Sequence, residues 1–133
     1  MHVFTYGSLM YPAVWDQLVR RRYRSELVTA AGFERFAVLG ERYPALVPSS
    51  DVSKEVEGRV YFDVKPDDLL RLDRFEGEAY DRRMITVGRY SAQAYIWRPA
   101  LRCRLSRDEW DVERFERTGL QQFLRSYRGF SDR

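Results

Sequence analysis

The sequence predicts an α+β domain, a small mixed β-barrel of about six strands with flanking helices. Three observations point there. Val56, Gly58, Val60, Phe62 and Val64 alternate with Glu57, Arg59, Tyr61, Asp63 and Lys65, the period of two that marks a half-buried strand. Residues 64–77 switch to helical spacing, with Leu69, Leu72 and Glu76 on one stripe. The other apolar runs are short, rich in β-branched and aromatic residues, and bounded by Gly and Pro. Closing such a sheet removes its exposed edges and leaves a mouth where loops converge.

The elements follow in order. Val3-Phe4-Thr5-Tyr6 reads as the first strand, and a helix begins at Pro12 and runs to about Val19. In the turn between them, Gly7 lets the backbone approach a ligand closely or take a positive φ. Ser8, Leu9 and Met10 would present successive N–H groups near a helix N-terminus, an arrangement that binds carboxylates or developing oxyanions. An ordinary strand-to-helix turn would carry the same residues. Neither the phosphate-binding loop nor the dinucleotide fingerprint is present, since the glycine spacing and the lysine are missing.

Residues 27–39 supply one or two strands broken around Gly32, and Pro44-Ala45-Leu46-Val47-Pro48 a short extended piece. Gly58, inside the alternating strand, marks close backbone approach. Pro66 suits a first helical position, Asp67 and Asp68 the positive N-terminal end, and Gly77 the stop. On that helix Glu76 shares the leucine stripe, where desolvation disfavours its charged form and raises its pKa toward the range useful for proton transfer. Alternatively it caps the helix end or pairs with Arg82 or Arg83. Residues 82–87 and 93–97 form two strands paired across residues 88–91. Ser106-Arg107-Asp108-Glu109 has a capping-box pattern, followed by Trp110, Phe115, Leu120, Phe123, Leu124 and Tyr127 in helical spacing. It predicts a C-terminal helix pair at about 106–128, interrupted near Gly119 and packed on the barrel.

At 133 residues the chain fits a single domain, 1–133, and 44% hydrophobic with 15% aromatic residues is enough for a core. No repeat, linker or low-complexity tract divides it. The first twenty residues hold no uninterrupted apolar run and mean hydropathy is −0.55, so neither signal peptide nor membrane span is expected and the default location is cytoplasmic. The only histidine is His2, read as a terminal strand residue, and the only cysteine is Cys103, read as a structural or incidental thiol. Neither a Ser-His-Asp nor a Cys-His arrangement can be assembled from them, and no cluster has metal-ligand spacing. The net charge of +3 and the Arg20-Arg21-Arg22-Tyr23-Arg24 run invite a nucleic-acid reading. It is discounted, because 20 acidic residues offset the basic ones and the run ends the first helix, where cations complement the dipole.

Read together, Tyr6-Gly7-Ser8-Leu9 after the first strand, Val56-Glu57-Gly58-Arg59-Val60-Tyr61, and Leu72-Asp73-Arg74-Phe75-Glu76-Gly77 followed by Tyr80 and Arg82 resemble the γ-glutamylcyclotransferase-like superfamily, including its AIG2-like branch. The resemblance spans about Val3 to Trp97 and implies that superfamily's mixed barrel with helices around it. It implies Glu76 as general acid/base, and Tyr6, Gly7, Ser8, Leu9 and Tyr80 as substrate-binding residues. The implied partner is a small γ-glutamyl compound, cyclised to 5-oxoproline without metal or cofactor. A non-catalytic module of the same fold, binding a small carboxylate or a protein, is the alternative.

Overall fold

The computed structural model describes residues 1–127. β1 (Val3–Thr5) passes through a short 3-10 turn (Ser8–Met10) into α1 (Pro12–Leu18). β2 (Ser25–Ala31), β3 (Phe33–Val38), β4 (Pro44–Pro48) and β5 (Glu55–Tyr61) precede α2 (Pro66–Glu76), and β6 (Tyr80–Val87) and β7 (Tyr90–Trp97) follow it. β8 (Leu105–Glu109), α3 (Val112–Arg114), a π-helical turn (Phe115–Gly119) and α4 (Leu120–Tyr127) complete the described chain. The mixed α+β architecture is the expected one, with eight strands where about six were counted. They form one sheet in the order β2-β5-β1-β7-β4-β3-β8, with β6 also on β7. The sheet does not close, so barrel is an approximate description; one bond from the Gly88 N–H to the Thr29 carbonyl (3.1 Å) brings the β6–β7 turn to β2.

β7 organises the sheet. β6 lies antiparallel along one edge, from Tyr80 opposite Trp97 to Val87 opposite Tyr90. The other edge is shared: β1 pairs in parallel at Val3–Gln93, and β4 in parallel at Leu46–Ile96. A strand has only two edges, so β1 and β4 must part from each other along β7, and a fork opens where one ends and the other begins. β7 is buried on both faces. Ala92, Ala94 and Ile96 join Phe4, Leu46, Val56 and Val60 in one apolar cluster, while Tyr95 and Trp97 join Trp15, Tyr61, Leu72, Phe115 and Phe123 in the other. Small residues thus fill one face and large aromatics meet the helices on the other, a division set by the strand's period of two.

Two glycines are explained by contact. In β5 the alternation holds from Val56 to Val60, with Val56, Gly58 and Val60 buried. The strand stops at Tyr61, which is buried although expected on the polar face, and the chain turns away at Asp63 (φ 56°) instead of continuing to Lys65. A Cβ on Gly58 would lie 2.1 Å from the Thr5 carbonyl and 2.7 Å from the Phe4 ring, so the neighbouring strand occupies the space. At Gly119 a Cβ would meet the Phe115 ring at 2.8 Å. That glycine does not split the C-terminal helix in two: α3, the π-helical turn and α4 run on without a break.

Two further expectations are corrected. Residues 105–109 are not a helix start but β8, paired with β3 through Phe36–Glu109 and Val38–Leu105. The Ser106 hydroxyl accepts from the Asp108 N–H (3.0 Å) in a local turn, and Asp111 is the real N-cap, accepting from the Arg114 N–H at 2.9 Å. The open edge of β3 offered main-chain partners that the capping pattern could not foresee. Residue 128, the expected end of the segment, lies outside the described residues. The arginine run also differs, because α1 stops at Leu18 and the run lies beyond it, against α2. Asp68, fully buried, accepts from the Arg20 N–H (2.9 Å), the Tyr23 hydroxyl, Arg71 (2.6 Å) and Arg21 (3.2 Å), and Arg21 also pairs with Asp67 at 2.7 Å. A buried carboxylate with this many donors is compensated, and it fixes α2 against the segment after α1.

Gly58→Ala is expected to cost about 2 kcal/mol or more, because the methyl must displace the Phe4 ring and a paired main chain in a close-packed core. Thermal unfolding should show a clear fall in Tm; an unchanged Tm would contradict the packing described.

Candidate functional site

The fork in the sheet places the site. Beyond Thr5 the chain leaves β7 and turns at Gly7, at the level where β4 begins at Pro44. A Cβ on Gly7 would lie 2.8 Å from Pro44 Cδ and 2.9 Å from Cγ. The φ of Gly7 is −122°, so glycine is needed for the close approach to Pro44 and not for a left-handed conformation. A cavity of about 150 Å³ opens here. Gly7, Ser8 and Leu9 line one part of it, and Phe75 and Glu76 from the end of α2 another.

The turn offers free donors. Among the described residues, no protein group accepts from the N–H groups of Gly7, Ser8 or Leu9, nor does the Ser8 hydroxyl have a partner. Met10, expected as a further donor, is withdrawn, because its N–H donates to the Gly7 carbonyl at 3.1 Å in closing the 3-10 turn. Three neighbouring unsatisfied amides in a turn that lines a cavity are the makings of an anion-binding concavity of the kind formed by successive backbone N–H groups.

Glu76 is the last residue of α2, on the stripe of Leu69 and Leu72, both buried. Gly77, at φ 81°, stops the helix just beyond it. Its carboxylate makes no hydrogen bond or ion pair among the described residues. The cations that could have neutralised it are engaged elsewhere: Arg82 Nε bonds Asp73 Oδ1 at 2.9 Å, and Arg83 faces Asp81 at 3.6 Å. Asp73, one turn earlier, also accepts from the Tyr95 hydroxyl at 2.7 Å. Burial, reinforced by the Asp73 charge, pushes the Glu76 pKa up to about 8. The residue keeps some accessible surface, and it lines the cavity.

Tyrosines support the walls. Tyr6, buried, donates its hydroxyl to the Tyr95 carbonyl at 2.6 Å, and Tyr80, also buried, donates to the Pro44 carbonyl at 2.7 Å. Burial raises the pKa of both, so each stays a neutral donor. Their protons are committed to main-chain carbonyls, so neither hydroxyl has its proton free for a ligand. All six residues singled out in the sequence therefore line one cavity. Sequence reasoning missed Tyr43, Pro44, Phe75, Tyr95 and Phe123, which line it too. Phe123 carried a signal, the helical spacing of residues 115–127, but nothing in that spacing says which face meets α2. Among the described residues no group of His, Cys, Asp or Glu is arranged to hold a metal ion, and no helix is long and apolar enough to cross a membrane.

Comparison with known proteins agrees with the fold. A family model described as gamma-glutamyl cyclotransferase, AIG2-like, matches residues 3–112. AIG2-like protein D of Arabidopsis thaliana is 30% identical over 146 residues, covering 99% of this chain and 90% of that protein. AIG2-like protein A of the same plant is 31% identical over 135 residues, with 96% and 79% covered. Among solved structures, the solution structure of an Arabidopsis thaliana protein is similar with a TM-score of 0.71 at 29% identity, covering 98% of this chain and 90% of that one. A crystal structure of a Pyrococcus horikoshii protein shares the fold, with a TM-score of 0.60 at 19% identity and coverage of 90% and 97%.

The raised pKa of Glu76 has a consequence for stability. Between its ordinary value of about 4.3 in the unfolded chain and about 8 in the fold, the folded state binds more protons than the unfolded one. The stability of the neutral acid is therefore complete below about pH 4 and lost as pH rises through about 8. Glu76→Gln stays neutral throughout, so its Tm should match that of the unsubstituted protein at about pH 4 and exceed it at about pH 9. A Tm difference independent of pH would show that Glu76 titrates normally.

Proposed function

The chain belongs to the gamma-glutamyl cyclotransferase, AIG2-like family, and from that premise we propose that it cyclises a γ-glutamyl group to 5-oxoproline, releasing an amine, amino acid or peptide. The observation that carries this reading is the unpaired Glu76 carboxylate in the same cavity as the free amides of Gly7, Ser8 and Leu9. The substrate's α-carboxylate is taken by the turn amides, an acceptor they lack in the protein. That places the neighbouring α-amine toward Glu76. The amine attacks the γ-carbonyl of its own chain, a five-membered ring closes, and the bond to the leaving nitrogen breaks.

Starting from the free amine, closure moves one N–H proton from the attacking to the leaving nitrogen. Glu76 carries it, as carboxylate accepting and as acid returning. A carboxyl with a pKa near 8 is matched to this exchange between nitrogens, whereas an ordinary glutamate would be too weak a base. No enzyme nucleophile is required, because the nucleophile belongs to the substrate and the protein's task is orientation. Ser8 and Leu9 complete the carboxylate site, and Tyr6 and Tyr80 wall the γ-glutamyl chain.

Incubation with a panel of γ-glutamyl amines, amino acids and peptides should release 5-oxoproline without added metal or nucleotide. Glu76→Gln should lower kcat by about 10²–10⁴ while leaving affinity for 5-oxoproline nearly unchanged. The acidic limb of the kcat/KM profile should lie near pH 8 and vanish in that variant. Undiminished turnover in Glu76→Gln would remove Glu76 from the mechanism. Binding without turnover on any γ-glutamyl compound would make the protein a non-catalytic module that recognises a small carboxylate.

Separately, Ser8→Ala should weaken binding only modestly, since the backbone donors stay. Gly7→Val must displace Pro44 and should raise KM at least tenfold. A Gly7→Val variant with wild-type KM would show that the turn does not touch substrate.

A further inference from the structure

We propose that Arg35 is a positioning residue for substrate binding, holding the Tyr6–Gly7 peptide so that the Gly7 N–H faces the cavity. This rests on the reading of the Gly7 turn as the substrate's carboxylate site. Arg35 sits in β3, far from the turn in sequence, yet its Nη1 donates to the Tyr6 carbonyl at 2.7 Å and to the Glu57 carbonyl at 3.3 Å. The Tyr6 carbonyl and the Gly7 N–H belong to one planar trans peptide, in which they point in opposite directions. A guanidinium fixed on the carbonyl side therefore fixes the N–H on the other. A charge-assisted bond to the oxygen also polarises the peptide and strengthens its N–H as a donor.

The arginine is itself held. Its guanidinium carbon lies 5.3 Å from the centroid of the Trp110 ring, whose indole N–H donates to the Arg42 carbonyl at 2.8 Å. The main-chain N–H of Trp110 in turn donates to the Arg35 carbonyl at 3.3 Å. Among the described residues no carboxylate oxygen lies within 4.0 Å of the guanidinium, and the charges of Glu57 and Glu109 act on it only from a longer distance. A half-buried guanidinium ordinarily takes a carboxylate partner. Here its best hydrogen bond goes to the one carbonyl whose peptide supplies the first amide of the substrate turn. Asp68 supplies the contrast, since its donors serve only to fix α2 against the segment after α1.

The test uses Arg35→Met, Arg35→Lys and, as a stability control on the same strand, Val38→Ala, which removes buried volume without touching Tyr6. 5-Oxoproline is the probe. In the unsubstituted protein, titration should shift the Gly7 amide resonance in ¹⁵N–¹H spectra. Arg35→Met should raise both the Kd for 5-oxoproline and KM at least tenfold, change kcat less than threefold, and move the Gly7 amide resonance before any ligand is added. Arg35→Lys, which keeps a charged donor, should recover most of the affinity. Val38→Ala should lower Tm with wild-type Kd and KM. If Arg35→Met does not fold, Arg35→Gln takes its place with the same direction expected.

Unchanged Kd and KM on loss of the guanidinium would overturn the proposal, as would losses in Arg35→Met and Val38→Ala that track Tm alike. A protein that turns over γ-glutamyl compounds while 5-oxoproline leaves the Gly7 amide unmoved would overturn it and leave the cyclotransferase reading standing. A protein that binds 5-oxoproline at Gly7 in an Arg35-dependent way, yet never forms it, would uphold the proposal and sink the cyclotransferase reading.

Discussion

One edge of β7 serves two strands, and most of what matters in this molecule follows from that. β1 and β4 both run parallel to β7, at Gln93 and at Ile96 respectively, so the two cannot continue side by side. β1 must leave, and the residues that carry it away are Tyr6 and Gly7, pressed against Pro44 at the start of β4. Main-chain groups that would otherwise pair in a ladder are left unsatisfied there. Open α/β sheets bind ligands where neighbouring strands diverge, for the same reason. The fork is therefore both a defect in the hydrogen-bond ladder and the source of the cavity's donors.

The charges around α2 are arranged to keep one carboxylate apart. Asp68 collects four donors, Asp67 is bound by Arg21, and Asp73 is held by Arg82 and Tyr95. Glu76 alone on that helix is left without a cation, one turn from an occupied aspartate, and burial raises its pKa. The pairing of Arg82 with Asp73 does two things at once: it engages a cation the sequence had offered to Glu76, and it anchors α2 near its C-terminal end to β6. A carboxylate isolated in this way destabilises the fold when ionised, and such strain is tolerated where chemistry needs it.

Much of the fold was legible in the chain. The alternation of residues 56–65, the proline start and glycine stop of α2, and the breaks at Gly32 and near Gly88 are local signals, and β2 to β7 and α2 appear close to where those signals put them, although β5 ends at Tyr61, short of the alternating run. β8 was not legible. Ser106 and Glu109 have the residue types of a capping box, but a local preference of about 1 kcal/mol yields to the unpaired edge of β3. The arginine run after α1 was misread for a related reason: nothing near residues 20–24 in sequence announces a buried aspartate in α2.

For the candidate site the division is sharper. Glu76 on a leucine stripe, and Gly7 with Ser8 between a strand and a helix, could be picked out from spacing and residue type, since both depend on neighbours a few positions away. What Glu76 pairs with could not, because Arg82 had two acidic residues within reach and only the three-dimensional distances chose Asp73. Nor could Arg35 be tied to Tyr6, or Phe123 to Phe75 and Glu76. By itself the sequence determined the periodic elements, their caps and stops, and the residues whose chemistry is unusual for their place. The tertiary structure alone decided which polar groups find partners and which stay free, because hydrogen bonds and ion pairs fall off within a few ångströms while the residues that make them are scattered along the chain.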